Sequence, residues 1–152
     1  MGERGVVGQY DGSSGNNTSL GWTNIDVGVP AQCRGVLQTL DIYVWSGSGN
    51  VYLKIFRDDG TNYVYVDGVS ITGLSIGPHL AVSLSTSLDI EEGDLIGYYS
   101  SGIQLRAKSI GSYDLRAKVG NITTTTPKSG WGSYTYNMCL RGHIFKRGGI
   151  IL

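Results

Sequence analysis

The sequence carries little charge for a globular chain. Asp, Glu, Lys and Arg make up 16% of its 152 residues, and the 12 basic residues balance the 12 acidic ones, whereas charged residues are about 25% of an average soluble domain. A formal net charge of zero gives no long-range field that would attract nucleic acid or an anionic membrane. We therefore expect no nucleic-acid partner, and a charged partner has to be recognised by a local patch.

Residue types that build common catalytic and metal sites are scarce. Cys33 and Cys139 are the only cysteines, too few for a disulfide scaffold or a zinc site, although one bridge between them stays open. His79 and His143 are the only histidines, and neither lies in a metal-binding motif. The P-loop, the dinucleotide-binding glycine motif and Gly-x-Ser-x-Gly are absent. The sequence predicts a protein that is not an enzyme, with a hydrolase or lyase built from scattered carboxylates as the remaining catalytic alternative.

Long apolar segments are missing as well. No run of 18 apolar residues occurs, and the first residues lead into no apolar segment of the kind that a signal peptide contains. We expect no membrane insertion and no signal peptide in this chain. Export by cell lysis, or within a larger particle, stays open.

Glycine, by contrast, is abundant at 24 residues, and period-two alternation broken by glycine turns is typical of short strands. We predict one all-β domain over residues 1–152, an antiparallel two-sheet β-sandwich with very little helix. Residues 1–33 are rich in Gly, Asn and Ser and are expected to form a loop-rich N-terminal segment, with core strands from about residue 34. The predicted strands span residues 35–45, 50–57, 61–67, 80–90, 94–100, 102–109, 112–119 and 133–147.

Alternation also assigns the two faces of these strands. The inward residues are predicted to be Val36, Leu40, Ile42, Val44, Val51, Leu53, Ile55, Val64, Val66, Leu80, Val82, Leu84, Leu88, Ile90, Tyr136, Met138, Leu140 and Ile144.

The opposite face of three consecutive strands is aromatic. Its members are Tyr43, Trp45, Tyr52, Phe56, Tyr63 and Tyr65, with Asp41 and Lys54 between them. If the strands form a meander, these rings make one platform on which sugar rings stack, while the charged side chains orient the hydroxyls. The predicted ligand-binding residues are Tyr43, Trp45, Tyr52, Tyr63, Tyr65, Asp41 and Lys54, and Trp22 and Trp131 are loop residues that would extend the site.

Two other interpretations of the aromatic face stay open. Identical subunits can bury it between them, since exposed apolar patches also mark oligomer contacts. Alternatively, the rings only stabilise the sheet through cross-strand pairs, or residues 1–33 fold over them.

A short repeat supplies a cluster of positive charge. Leu-Arg-Ala-Lys occurs at 105–108 and again at 115–118, and a hairpin between the two copies would point the apolar residues inward and the basic residues outward. The candidate anion-binding residues are Arg106, Lys108, Arg116 and Lys118. A solvated sheet edge, protected from aggregation by its lysines, explains the same pattern.

One turn has the composition of a weak calcium site. Asp58 and Asp59 precede Gly60 and offer two or three of the six to eight oxygens that Ca²⁺ takes. No EF-hand spacing is present, so no cofactor is expected beyond a structural calcium ion at this turn.

Residues 88–102, Leu-Asp-Ile-Glu-Glu-Gly-Asp-Leu-Ile-Gly-Tyr-Tyr-Ser-Ser-Gly, resemble a strand and acidic turn of jelly-roll modules in phage structural and tail-associated proteins. Such modules also occur in extracellular bacterial proteins and are similar to carbohydrate-binding modules. The resemblance implies a jelly-roll sandwich in a virion-associated or extracellular setting. The resemblance assigns no ligand-binding residues to this chain, because it covers a turn and a strand and includes no binding site.

These observations favour a non-enzymatic module that recognises a glycan or a surface receptor on a virion or cell, as in adhesion. The alternative is a structural assembly protein, a virion decoration or fibre domain, that forms a homo-oligomer through the aromatic face. In that case Ile150, Ile151 and Leu152 would make a further contact.

Overall fold

Two antiparallel β-sheets pack face to face. The computed structural model describes residues 2–11 and 16–146. Sheet one consists of β1 (Glu3–Gln9), β2 (Asn16–Asn17), β4 (Gly35–Gly47), β7 (Gly77–Ile90), β9 (Ile103–Ser109), β13 (Tyr136–Met138) and β14 (Leu140–Phe145). Sheet two consists of β3 (Trp22–Asp26), β5 (Val51–Asp58), β6 (Asn62–Ile71), β8 (Leu95–Tyr99), β10 (Leu115–Val119), β11 (Thr126–Pro127) and β12 (Gly132–Tyr134). The predicted all-β sandwich with very little helix is confirmed, and its layout is compatible with a jelly-roll module.

Neighbouring strands in the chain often belong to different sheets. The strand order of sheet one is β1–β14–β4–β9–β13. Two further strands of this sheet lie off that path, since β7 pairs with β4 and β2 pairs with β9. The order of sheet two is β11–β6–β5–β8–β3–β10–β12. The chain therefore crosses from one sheet to the other between β4 and β5, and again between β9 and β10. The meander and the basic hairpin expected from the sequence are both wrong, because alternation locates a strand but does not determine its partners.

The core lies between the sheets and contains most of the predicted residues. Eleven of them are at most 1% exposed: Leu40, Ile42, Val44, Val51, Leu53, Ile55, Leu88, Ile90, Met138, Leu140 and Ile144. Val66, Val82, Leu84 and Tyr136 are partly buried against this cluster. Among the described residues, no helix has the length and apolar character needed to span a membrane.

Leu80 is the clear exception, since it is 65% exposed. In the pairing of β4 with β7, Ile42 lies opposite His79 and Leu40 opposite Val82, so two residues of β7 oppose one residue of β4. Ala81 adopts a φ of 54° in this bulge. The extra residue changes the phase of β7, and Leu80 points outward as a result.

Residues 1–33 contribute three strands, the two-residue β2 and the longer β1 and β3, which corrects the expectation of a loop-rich segment before residue 34. β1 pairs with β14 and places Val7 fully in the core. β3 lies inside sheet two between β8 and β10, and Ile25 is fully buried. The strands escaped detection because glycine and asparagine around them resemble turn composition.

The acidic turn that resembles jelly-roll modules is held in place by hydrogen bonds to Asp94. Asp94 is fully buried and accepts hydrogen bonds from Arg57 Nε at 2.7 Å, Arg57 Nη2 at 2.9 Å and the Glu91 backbone N–H at 2.9 Å. Its carbonyl accepts a bond from the Ala31 N–H at 2.7 Å. Such a two-point arginine–carboxylate pair fixes geometry well, so the turn is held onto β5.

A second apolar cluster covers part of the outer face of sheet two. We call residues 120–131 the cover segment. Its Trp131 is 6% exposed, and its ring lies 5.8 Å from that of Phe56 and 5.6 Å from that of Tyr63. The cluster is completed by Ile25 and Leu95. The aromatic face is thus partly buried by the cover segment, and not by residues 1–33 as considered above.

The inner face of β3 carries a carboxylate with an unsatisfied oxygen. Asp26 is fully buried, and its Oδ1 accepts bonds from the backbone N–H groups of Gly28 at 2.7 Å and Val29 at 3.2 Å. Oδ2 has no hydrogen-bond partner within the described residues. Burial raises the pKa of Asp26 to about 6, against the effect of these bonds.

Trp131→Ala should lower the free energy of unfolding by about 3–5 kcal/mol, because it removes a buried aromatic ring and leaves a cavity. Urea denaturation followed by circular dichroism measures this loss. Tyr113→Ala is the control, since Tyr113 is 61% exposed, and it should change stability by less than about 0.5 kcal/mol. Equal effects of the two substitutions would mean that the cover segment contributes no stable packing.

The free energy of unfolding should depend on pH through the ionisation of Asp26. Its pKa is raised from 3.8 to about 6, so folding takes up a proton between these values, and the free energy of unfolding falls as pH rises through 6. Asp26→Asn should remove this dependence, so the stability of the variant relative to the native protein rises by about 2 kcal/mol between pH 4 and pH 8. Urea denaturation across this range is the measurement, with the exposed Glu92→Gln as control. A difference that stays constant with pH would contradict the shifted pKa.

Candidate functional site

The predicted aromatic platform is divided between the two outer faces of the sandwich. Tyr43 and Trp45 lie on β4 in sheet one, whereas Tyr52, Tyr63 and Tyr65 lie on β5 and β6 in sheet two. A single platform is therefore wrong, and each face has to be considered by itself.

The two aromatic residues of sheet one, Tyr43 and Trp45, stack against an arginine. The guanidinium carbon of Arg106 lies 4.7 Å from the ring centroid of Tyr43 and 5.3 Å from that of Trp45. Such stacking stabilises an arginine and its ring partners together. Trp45 is 36% exposed, so part of its indole stays accessible to solvent beside Arg106.

Asp41 does not orient a ligand on this face, because its carboxylate is already used. The residue is 3% exposed, and Oδ2 lies 2.8 Å from Arg141 Nη2 and 2.7 Å from His143 Nε2. Oδ1 accepts a bond from the Ala81 N–H at 2.9 Å. Burial alone would raise the pKa of Asp41, but these hydrogen bonds together lower it. Asp41 thus holds the bulge of β7 against β4 and β14.

On sheet two, three of the predicted ligand residues meet in one depression. We call it the Lys54 pocket. It has a volume of about 260 Å³ and is lined by Tyr52, Lys54, Tyr65, Gly68, Asn121 and Thr123, among others. The cover segment forms one wall through Asn121 and Thr123. Tyr63, by contrast, is 3% exposed beneath Trp131, so its ring is not accessible to a ligand.

The two tyrosines of the pocket are positioned by their neighbours. Tyr52 is 36% exposed and lies beside Tyr99 of β8, with 6.2 Å between the ring centroids. Tyr65 is half-buried, and its hydroxyl lies 2.6 Å from the position that a Cβ atom would take at Gly68. A side chain at residue 68 would therefore displace the Tyr65 ring from the pocket wall.

Lys54 is the unusual member of this group. The residue is 2% exposed, and within the described residues we find no hydrogen bond and no ion pair from its ammonium. Nζ lies 5.1 Å from the centroid of the Tyr65 ring. Burial lowers the pKa of Lys54 to about 8. A cation in such surroundings is destabilising unless it finds a partner.

A second cavity opens between the sheets and is lined by residues of β2, β3, β10, β12 and β13. We call it the edge cleft. It has a volume of about 110 Å³, and its aromatic walls are Trp22, Tyr134 and Tyr136. Two of its polar residues are already engaged: the Thr18 hydroxyl pairs with that of Tyr98, and Asn24 Nδ2 donates to the Trp22 carbonyl at 3.2 Å.

Sequence reasoning missed the edge cleft. Of its aromatic residues only Trp22 was proposed as a ligand contact, Tyr136 was assigned to the core, and Tyr134 was not considered. These residues come from β3, β12 and β13, which are far apart in the sequence or lie in different sheets. No local pattern brings them together, so no signal in the sequence would have revealed the cleft.

The four basic residues of the repeat do not gather into one anion site. Arg106 and Lys108 lie on β9 in sheet one, and Arg116 and Lys118 lie on β10 in sheet two. Each copy has local partners: Lys108 Nζ pairs with Asp11 Oδ2 at 2.8 Å, and Arg116 Nη1 donates to the Tyr113 carbonyl at 2.6 Å. The apolar residues of the repeat, Leu105, Ala107, Leu115 and Ala117, are buried as predicted.

Asp58 and Asp59 stabilise the turn between β5 and β6. Asp58 accepts a bond from the Gly60 N–H at 2.8 Å and pairs with Lys128 Nζ at 2.9 Å. Asp59 Oδ1 accepts bonds from the N–H groups of Thr61 at 2.9 Å and Asn62 at 2.6 Å. No group of three or more His, Cys, Asp or Glu side chains in the described part of the chain is arranged to hold a metal ion. Both carboxylates therefore have partners within the chain, and a structural calcium ion at this turn stays a prediction.

The two cysteines are both free in the structure. Cys139 is buried, and burial raises the pKa of its thiol, which disfavours the reactive thiolate. The predicted contact of Ile150, Ile151 and Leu152 falls outside the described residues.

Comparisons with known proteins assign no family to the chain. Neither the protein-family models nor the curated proteins include a match. The function therefore has to be argued from the pockets, charges and exposed surfaces described above.

Proposed function

We propose that the protein is a non-enzymatic binding module that recognises a glycan, or a receptor carrying one, through the Lys54 pocket. The observation that carries this proposal is a buried lysine without a counter-charge, set between two tyrosines in a depression of the outer surface. We further propose a jelly-roll module displayed on a virion or cell surface, supported by the likeness of residues 88–102 to such modules.

The chemistry of the pocket suits a sugar. A pyranose ring presents a C–H face that packs on an aromatic ring, and hydroxyls that need hydrogen-bond partners around it. Tyr52 supplies the exposed ring, and Tyr65, Asn121 and Thr123 supply polar groups at the walls. A volume of about 260 Å³ lies at the small end of ligand pockets, which is sufficient for about one sugar ring.

The affinity of such a shallow site is modest. Dissociation constants between about 1 mM and 1 μM, or about −4 to −8 kcal/mol, are the expected range. Display of many copies on one particle compensates for weak single-site binding, because linked sites raise the effective concentration of the ligand.

The Lys54 pocket is a better candidate than the other exposed aromatic surfaces. On sheet one, the rings of Tyr43 and Trp45 are already occupied by Arg106. The edge cleft is smaller, and its polar residues Thr18 and Asn24 already hydrogen-bond to Tyr98 and to the Trp22 carbonyl. Among the described residues that line these surfaces, Lys54 is the one buried charged side chain that has no hydrogen bond and no ion pair.

A role in assembly is the second candidate, and a different surface favours it. β7 is a strand of 14 residues that pairs with β4 alone among the described strands. Leu80 on this edge and the neighbouring Ile76 are both 65% exposed. Exposed apolar residues on an edge strand favour contact with another chain, here a second copy in a homo-oligomer. This interface replaces the aromatic face in the assembly hypothesis.

Tyr52→Ala should weaken glycan binding at least tenfold, a loss of about 1.4 kcal/mol or more, because it removes the aromatic ring on which the sugar packs. A glycan array identifies the ligand, and isothermal titration calorimetry measures the change. Trp45→Ala is a matched control, since Trp45 and Tyr52 are both 36% exposed but lie on opposite faces. Loss of binding in Trp45→Ala alone would move the site to sheet one.

The assembly hypothesis predicts a native mass that is a multiple of 16.3 kDa, and Leu80→Asp should restore the monomer because a charge cannot be buried at the interface without a partner. Analytical ultracentrifugation measures both masses. Tyr113→Asp changes an equally exposed residue elsewhere and should leave the mass unchanged. A native monomer at micromolar concentration would rule out assembly through the β7 edge.

A further inference from the structure

Within the described part of the chain, no carboxylate forms an ion pair with Lys54. The titratable side chains that line or border the pocket beside Lys54 are Tyr52 on β5, Tyr65 on β6 and, next to Tyr52, Tyr99 on β8, and a phenol is an uncharged hydrogen-bonding group at neutral pH. Asp67 on β6 is exposed, and its Oδ1 accepts a bond from the Gly68 N–H at 2.8 Å. The ammonium therefore lies in a pocket whose described walls carry aromatic, polar and apolar side chains but no carboxylate.

We propose that the ligand of the Lys54 pocket is an acidic sugar, whose carboxylate pairs with the Lys54 ammonium while its ring packs on Tyr52. This inference rests on the proposed function and narrows it to one class of glycan. The anion would give a buried cation the partner that such groups have in most proteins. A neutral sugar would remove water from the Lys54 ammonium without supplying an opposite charge. Binding a neutral sugar would therefore increase the desolvation free energy of this cation.

The charge of the site also argues against more highly charged ligands. Lys54 is the one cation among the residues that line the pocket, and a lysine acts as a point charge that suits a singly charged group. A phosphate group carries nearly two negative charges at neutral pH and would need further cationic side chains around it. The zero net charge of the chain likewise provides no field that attracts nucleic acid.

A set of matched sugars tests the inference on the native protein. The probes are an oligosaccharide ending in a uronic acid, its methyl ester, the corresponding neutral hexose and that hexose with a sulfate ester, each titrated by calorimetry. We expect the uronate to bind at least tenfold more tightly than the ester and the neutral hexose, because only the uronate pairs with the ammonium.

Variants locate this preference. Lys54→Met keeps the aliphatic stem and removes the charge, and it should reduce the uronate affinity to that of the ester. Lys128→Met is the matched control, because Lys128 also lies over a tyrosine ring, at 5.5 Å from the Tyr63 centroid, but already pairs with Asp58 at 2.9 Å. It should leave the preference unchanged. Urea denaturation of each variant verifies that it is folded.

The pH dependence gives a second measurement that needs no variant. Because the pKa of Lys54 in the unliganded protein is about 8, uronate affinity should be constant from pH 6 to 7 and fall about tenfold per pH unit well above 8. The affinity for the neutral hexose should stay nearly constant over this range. A uronate affinity that is independent of pH would overturn the pairing with Lys54.

The outcomes separate this inference from the proposed function. Equal binding of uronate, ester and neutral hexose, sensitive to Tyr52→Ala, would overturn the acidic-sugar inference and leave a glycan module. Tighter binding of the sulfate ester than of the uronate would overturn the carboxylate assignment in the same way. Absence of binding to every member of a broad glycan array would overturn the proposed function itself, and the inference with it.

Discussion

The close approach of two backbone segments where the chain changes sheets determines much of this structure. At the end of β4, Gly47 has a φ of 94°, and a Cβ atom there would lie 1.9 Å from the Gly102 carbonyl oxygen. Only glycine tolerates both conditions. Because the chain turns here from sheet one into sheet two, residues before Gly47 and residues after it face opposite sides of the sandwich. The separation of Trp45 from Tyr52, and hence the composition of the Lys54 pocket, follows from this turn.

Two of the four buried charged side chains in the described residues are paired with an opposite charge, and the other two are not. Asp94 is paired with Arg57, and Asp41 is paired with Arg141 and His143. The Asp41 pairs connect β4 with β14 within sheet one, and the Asp94 pair holds the turn before β8 onto β5 of sheet two. Asp26 and Lys54 differ, since the first keeps an unsatisfied oxygen and the second an unpaired ammonium. Asp26 can be neutralised by a proton inside the core, whereas Lys54 lines an open pocket, where a ligand can reach it.

The sequence predicts local features of this fold better than non-local ones. Alternation located β5 and β8 to within a residue or two and identified Leu53 and Ile55 as core residues, because these properties depend on neighbours along the chain. It could not assign β9 and β10 to different sheets, since pairing partners are chosen by contacts between distant segments. The bulge beside Leu80 was likewise hidden, as one extra residue leaves no mark on composition.

The candidate site was predictable in part for the same reason. Tyr52, Lys54 and Tyr65 share one face by simple periodicity, which the sequence shows. The burial of Tyr63 and the pocket wall at Asn121 and Thr123 depend on the cover segment, which lies about 60 residues further along the chain and gives no sign of its destination.

The cover segment connects the stability of sheet two with the shape of the pocket. Thr23 on β3 anchors its start, because the Thr23 hydroxyl donates to the Gly120 carbonyl at 2.6 Å and accepts from the Ile122 N–H at 3.0 Å. Trp131 anchors its end against Phe56 and Tyr63. Between these anchors the segment buries one half of the aromatic face and borders the other half. The same packing that removes Tyr63 from solvent therefore leaves Tyr52 and Lys54 at an open, walled depression, so the aromatic residues of one sheet serve both the core and the proposed site.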